Sequence, residues 1–211
     1  MKVLLAIALS LITLASAFAQ TYAVETLSEV PPSDVAEPIR AELNSTGLRV
    51  KSPAGTLCDI WFRKAIPSEP GEGIGRSYPH MPEKTLIGAI RVLGKMSDNR
   101  ANTFPPGVYV MRHGIQPQDG NHAGSADYID FALLLKAKND RTVEGGYPTG
   151  MDMIQQSLAD GGAGHPIVFA LLPPKSTSQP SIAKNQRDHW VLEAKVGDTI
   201  LAIVIAGVYE H

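Results

Sequence analysis

This sequence predicts a mainly β fold: a single-domain β-sandwich of about eight strands with two short helices. Three observations lead there. Apolar runs of strand length recur along the chain, among them "TLCDIWF", "LIGAIRV", "VYVMRHGI", "DFALLLK" and "ILAIVIA". Turn formers separate them, with 19 glycines and 16 prolines in 211 residues, above the usual combined share of about 12%. Cysteine occurs once, at Cys58. No intramolecular disulfide can staple the chain, so the fold must rest on its core.

The N-terminus reads as a secretory leader. Lys2 supplies a positive start, Val3 to Leu14 is mostly apolar, and Ala17-Phe18-Ala19 is a small-x-small cleavage site. Cleavage after Ala19 leaves residues 20–211 as one domain, periplasmic or extracellular. No later stretch is long and apolar enough to be a transmembrane helix. Lysine plus arginine (19) nearly balance aspartate plus glutamate (21). That balance argues against a nucleic-acid partner and against a polybasic membrane patch.

The first helix is expected at about Pro38 to Asn44. Pro38 suits a first turn, Ile39 and Leu43 fall four apart, and Gly47 reads as a stop. Strand, turn and strand follow in "LRVKSPAGTLCDIWFRKAI", with the turn at Pro53-Ala54-Gly55. Alternation puts Cys58, Ile60 and Phe62 on the core face and Asp59, Trp61 and Arg63 on the other. After a Pro/Gly-rich loop come the strands "LIGAIRVLG", "GVYVMRHGI" and "DFALLLKAK". The second helix is "TGMDMIQQSLADGG". Thr149 is its cap, Asp152 lies in its first turn, and Met151, Ile154 and Leu158 form its apolar stripe. "PIVFALLP", "HWVLEAKV" and "TILAIVIAGVYE" complete the set; the last is apolar on both faces, as a covered central strand is. The expected core is Ile60, Phe62, Val110, Leu133, Phe169, Leu192 and Ile203.

Pro106-Gly107-Val108-Tyr109 turns the chain into a strand. In this stretch of about a dozen residues the sequence resembles uncharacterised secreted bacterial β-sandwich domains with a P-A-G-x-Y turn-to-strand motif. Pro106 stands where that motif has Ala. The resemblance implies fold class and no functional residue.

Chemistry concentrates in "HGIQPQDGNHAGSADYIDF", residues 113–131. Read from Asp119, it places Asp119, Asn121, Ser125, Asp127 and Asp130 at positions 1, 3, 7, 9 and 12 of a calcium-loop template, with Gly124 at position 6. Ala123 at position 5 and the strand-like flanks argue against an EF-hand. A second reading lets His113, Asp119 and His122 hold zinc, with His165 and His189 at nearby strand starts. The plain reading is a polar loop whose Asp and Asn side chains bond their own backbone. Elsewhere, Trp61 between Asp59 and Arg63 has the make-up of a ligand-binding face, with a ring to stack and charges to hydrogen-bond. The alternative there is a covered face on which Arg63 packs over the indole.

No G-x-S-x-G and no H-E-x-x-H occurs. The sequence therefore favours a non-enzymatic binding or structural module with a protein or carbohydrate ligand and no cofactor. The alternative is a metal-dependent enzyme, a hydrolase, that uses calcium or zinc at His113, Asp119 and His122.

Overall fold

The computed structural model describes residues 21–71, 73–117, 120, 128–161, 164–175 and 177–208. The leader expected at residues 1–19 lies outside them, as do Asp119 and His122.

The chain begins with β1 (Ala23–Leu27), a strand that its short, polar "AVETL" did not announce. Next comes α1 (Glu37–Glu42), which has proline in its first turn and ends at Leu43, in extended backbone. Gly47 is the first residue of β2 (Gly47–Ser52) rather than a helix stop. The turn at Pro53-Ala54 leads into β3 (Gly55–Phe62). Gly55 sits at φ +123°, a conformation that side chains disfavour. β4 (Leu86–Val92), a small ribbon of β5 (Met96–Ser97) and β6 (Thr103–Phe104), β7 (Gly107–Ile115) and β8 (Asp130–Lys136) follow. Then come α2 (Gly150–Gly161), β9 (Val168–Ala170), β10 (Ser181–Lys184), β11 (Trp190–Val196) and β12 (Thr199–Ala206).

Seven strands form one curled antiparallel sheet in the order β1-β2-β3-β4-β7-β8-β9. The strands β10-β11-β12 form a second sheet. A bridge between Leu171 and Ile203 and a bond from the Leu172 N–H to the Ala202 carbonyl (2.9 Å) join the two sheets. On the other side Tyr22 stacks on Trp190, with ring centroids 4.8 Å apart. The inner faces of both sheets share one core, to which Ile60, Phe62, Phe169, Leu192 and Ile203 all belong.

Strands β3, β4, β7, β8 and β12 are buried on both faces along most of their length, so simple alternation misplaces two expected core residues. Val110 and Leu133 are buried, but in outer clusters. Val110 packs with Trp61 and Ile39 of α1, and Leu133 packs with Met153 of α2. On α2 the buried face carries Met153, Ser157 and Asp160, whereas Met151 of the expected stripe is 44% exposed. Polar anchoring sets that phase. Ser157 Oγ–H donates to the Leu134 carbonyl (2.7 Å) and accepts the Ile167 N–H (3.0 Å). Asp160 accepts the Lys136 N–H (2.7 Å) and the Asn139 amide (2.6 Å).

Candidate functional site

The polar loop of residues 116–129 leaves the sheet between β7 and β8. Its base is closed by the Ile115–Asp130 strand pair and by the Gln116 N–H, which donates to the Ile129 carbonyl at 2.8 Å. One turn of pairing deeper, Gly114 opposes Phe131. A Cβ on Gly114 would fall 2.2 Å from the Phe131 ring, so glycine makes room for that aromatic to lie across the neck.

A buried ionic clamp holds this neck. His113 and Asp130 are both fully buried, and the ring Nε2 lies 2.8 Å from Asp130 Oδ1. Nδ1 lies 2.9 Å from the Pro82 carbonyl. Arg76, from the Pro/Gly-rich loop between β3 and β4, donates from Nη2 to Asp130 Oδ1 (3.0 Å) and also to the Tyr78 and Met81 carbonyls. The second carboxylate oxygen accepts the N–H groups of Ser77 (2.6 Å) and Tyr78 (3.3 Å). Burial alone would raise the Asp130 carboxyl. The His113 ring and the Arg76 guanidinium outweigh burial and hold it below the usual carboxylate range. The same loop reaches the second sheet through Tyr78, whose hydroxyl accepts the Ala202 N–H at 2.9 Å. Asp130 thus ties two long loops and two strands to one point.

This arrangement bears on the metal reading. Both nitrogens of His113 face protein oxygens, so its ring is committed to the clamp and not directed at an ion. The calcium template loses its position 12 for the same reason, because Asp130 turns inward. His165 is exposed. His189 is 2% exposed and its Nε2 contacts the Val208 carbonyl at 3.2 Å. Among the described residues no three His, Cys, Asp or Glu side chains form a metal-sized group. Asp119 and His122, the other two members of the expected set, lie outside the described residues.

Trp61 and Asp59 share the outer face of β3 as alternation requires, with Arg63 just past its end in a bridge to Leu43, but that face is not open. Trp61 is fully buried among Val35, Ile39 and Leu43, and its Nε1–H donates to the Glu29 carbonyl at 2.7 Å. Asp59, equally buried, sits between cross-strand Arg49 and Arg91, with contacts of 2.7 and 2.6 Å. Burial would raise its carboxyl, and the two guanidinium groups hold it below the usual range instead. Arg91, rather than Arg63, lies over the indole, with its Cζ 5.2 Å from the ring centroid. Arg63 pairs with Glu42 of α1 at 3.0 Å. The ligand-binding face expected at Trp61, Asp59 and Arg63 is therefore corrected to an interior joint. The segment before α1 covers it because the indole and Leu86, Ala89 and Val110 offer an apolar bed.

Sequence reasoning missed a second buried ion pair, Arg112–Asp140. Arg112 directs Nε at Asp140 Oδ2 (2.5 Å) and Nη2 at Oδ1 (2.9 Å) and the Thr142 carbonyl (2.5 Å). Its Nη1 bonds the Lys84 and Val143 carbonyls. Gly145, at φ +70°, lies against the guanidinium, where a Cβ would stand 3.0 Å from Cζ. The signal was an arginine inside the apolar run "VYVMRHGI", which only a dedicated partner can make tolerable.

No known protein family, curated protein or solved structure matches this chain.

Proposed function

We propose that this chain is a secreted or periplasmic, non-enzymatic binding module for a protein or carbohydrate ligand. Its scaffold is sandwich-like, with the curled seven-stranded sheet facing β10–β12 across one core, in keeping with the resemblance to secreted bacterial β-sandwich domains. The observation that carries the reading is the Asp130 clamp. Its ionic groups are spent on fixing the neck of the 116–129 loop, and His113 and Asp130 are too deeply buried to meet a substrate. A rigid neck under a polar loop is how a scaffold presents a recognition element at low entropic cost. The apolar leader and Ala17-Phe18-Ala19 support export. The near balance of charge gives no footprint for nucleic acid. The metal-dependent hydrolase reading retains Asp119 and His122 but has lost His113 to the clamp.

The test is photo-crosslinking in the exporting host, with a photoreactive side chain at exposed Gly120 or, as control, at exposed Glu37. A discrete adduct is expected from position 120 and none from position 37. Equal labelling at both positions would sink the reading. Stoichiometric zinc in the purified protein, lost on His122→Ala together with a hydrolytic activity, would replace it with the metal enzyme.

A further inference from the structure

The outer faces of the two sheets are treated unequally. α1 lies over β3, β4 and β7, and α2 lies over β8. Among the described residues no helix lies over the three-stranded sheet. Instead a groove of about 580 Å³ crosses it, between the turn after β10 and the segment that follows β9. That volume falls in the range of small-ligand sites, roughly 300–1,000 Å³. The strand register explains the hollow. Ser181, Glu193 and Ala202 form one row across the sheet, and Ala183 and Val191 pair in the next. Small side chains at 181, 183 and 202 leave space above Val191. Tyr128, which packs against the cluster that Leu172, Val191 and Ala202 belong to and stands shortly before β8 in sequence, adds an aromatic wall.

Charge completes the pattern. Lys175 and Lys184 stand on the rim and are exposed, and among the described residues of the lining Glu193 is the one carboxylate. Lys184 meets Asp188 at 2.9 Å, but both are solvated, so the pair holds the ammonium only weakly. Glu193 accepts the Lys175 N–H at 3.2 Å and so is fixed in the middle row. A compact dianion such as phosphate would be attracted by the rim and repelled by Glu193. A ligand that carries its negative charge a ring's width from its hydroxyl groups meets no such conflict.

We propose that this groove binds an oligosaccharide containing uronic acid. Rim cations take its carboxylates, Glu193 accepts its hydroxyl protons, and Tyr128 stacks on a C–H face of a sugar ring. The proposal rests on the reading of the chain as a binding module and gives that module a ligand class.

Trigalacturonate is the probe, titrated calorimetrically against the full mature chain, with neutral maltotriose and inorganic phosphate as comparisons. Trigalacturonate is expected to bind, and maltotriose and phosphate to bind at least about tenfold more weakly. Lys175→Ala and Lys184→Ala should each weaken trigalacturonate by several-fold and make it less sensitive to salt. Ala183→Trp, at an exposed strand position, should fill the groove and abolish binding while the melting temperature stays put. Equal affinity for maltotriose, tighter binding of phosphate, or trigalacturonate binding that survives Ala183→Trp overturns the proposal. So does the absence of trigalacturonate binding. If that absence accompanies an intact adduct from position 120, the groove assignment alone has failed.

Discussion

Asp130 is where a single residue matters most. It collects His113, Arg76 and two backbone N–H groups while fully buried. Its replacement leaves the Arg76 guanidinium without its counter-charge in a buried site. Breaking such a pair from one side costs about 3–5 kcal/mol. Asp130→Asn keeps the shape, so that loss is the expected effect at pH 7, read by urea denaturation. The pH dependence has a definite sign. The folded carboxyl titrates below its ordinary value of 3.8. Its contribution is therefore complete above that value and is lost as pH falls through the lower, folded one. The stability gap between the wild type and Asp130→Asn should narrow below about pH 4 and not widen. A gap under about 1 kcal/mol at pH 7 would mean that the clamp is ornamental to the fold.

The helix α2 is an element whose start was legible and whose docking was not. Thr149 and Asp152 form the reciprocal cap that their spacing announces: Thr149 Oγ1 accepts the Asp152 N–H (3.2 Å), and Asp152 Oδ2 accepts the Thr149 N–H (2.9 Å). Thr149→Ala should cost about 1 kcal/mol. Ser157→Ala should cost as much or more, about 1–3 kcal/mol, because it strips partners from two buried backbone groups. Chemical denaturation with an unchanged m-value measures both, and a larger loss at Thr149 than at Ser157 would reverse the ranking. The stripe Met151, Ile154 and Leu158 misled because a hydrophobic count cannot see a serine and an aspartate acting as strand-edge partners. The strands fared better. All eight expected ones exist, since apolar runs bounded by Gly and Pro report directly on burial. β1, β10 and the short β5–β6 ribbon were missed because edge strands and two-residue ribbons need little apolar surface. In the stretch 113–131, His113 and Asp130 were singled out as candidate metal ligands. Their roles were not legible, because Arg76 approaches from a loop with no periodic signal, and burial turns candidate ligands into mutual partners.

At the scale of the whole molecule, one shared core makes the two sheets interdependent. The last strand, β12, contributes Ile203 and Leu201 to the core that Ile60 and Phe62 of β3 also fill, and Tyr78 and Leu172 stitch the seam between the sheets. With one core filled from both sheets, no subset of strands buries its inner face alone, and opening should be global. Cys58 offers a probe of that opening. It lies on the inner face of β3, is fully buried, and burial pushes its thiol far above the ordinary range. A thiol reagent therefore reacts with it only in molecules that have opened. If reclosing outpaces labelling, the rate follows the opening equilibrium and rises with urea along the slope of global unfolding. The expected result is protection of Cys58 that equals the unfolding constant measured by circular dichroism, with a matching urea dependence. Fast labelling in native buffer, or a rate indifferent to urea, would instead locate a local opening at the β2–β3 hairpin, next to the register shift at Val50 and Lys51, and would show that the two sheets come apart in stages.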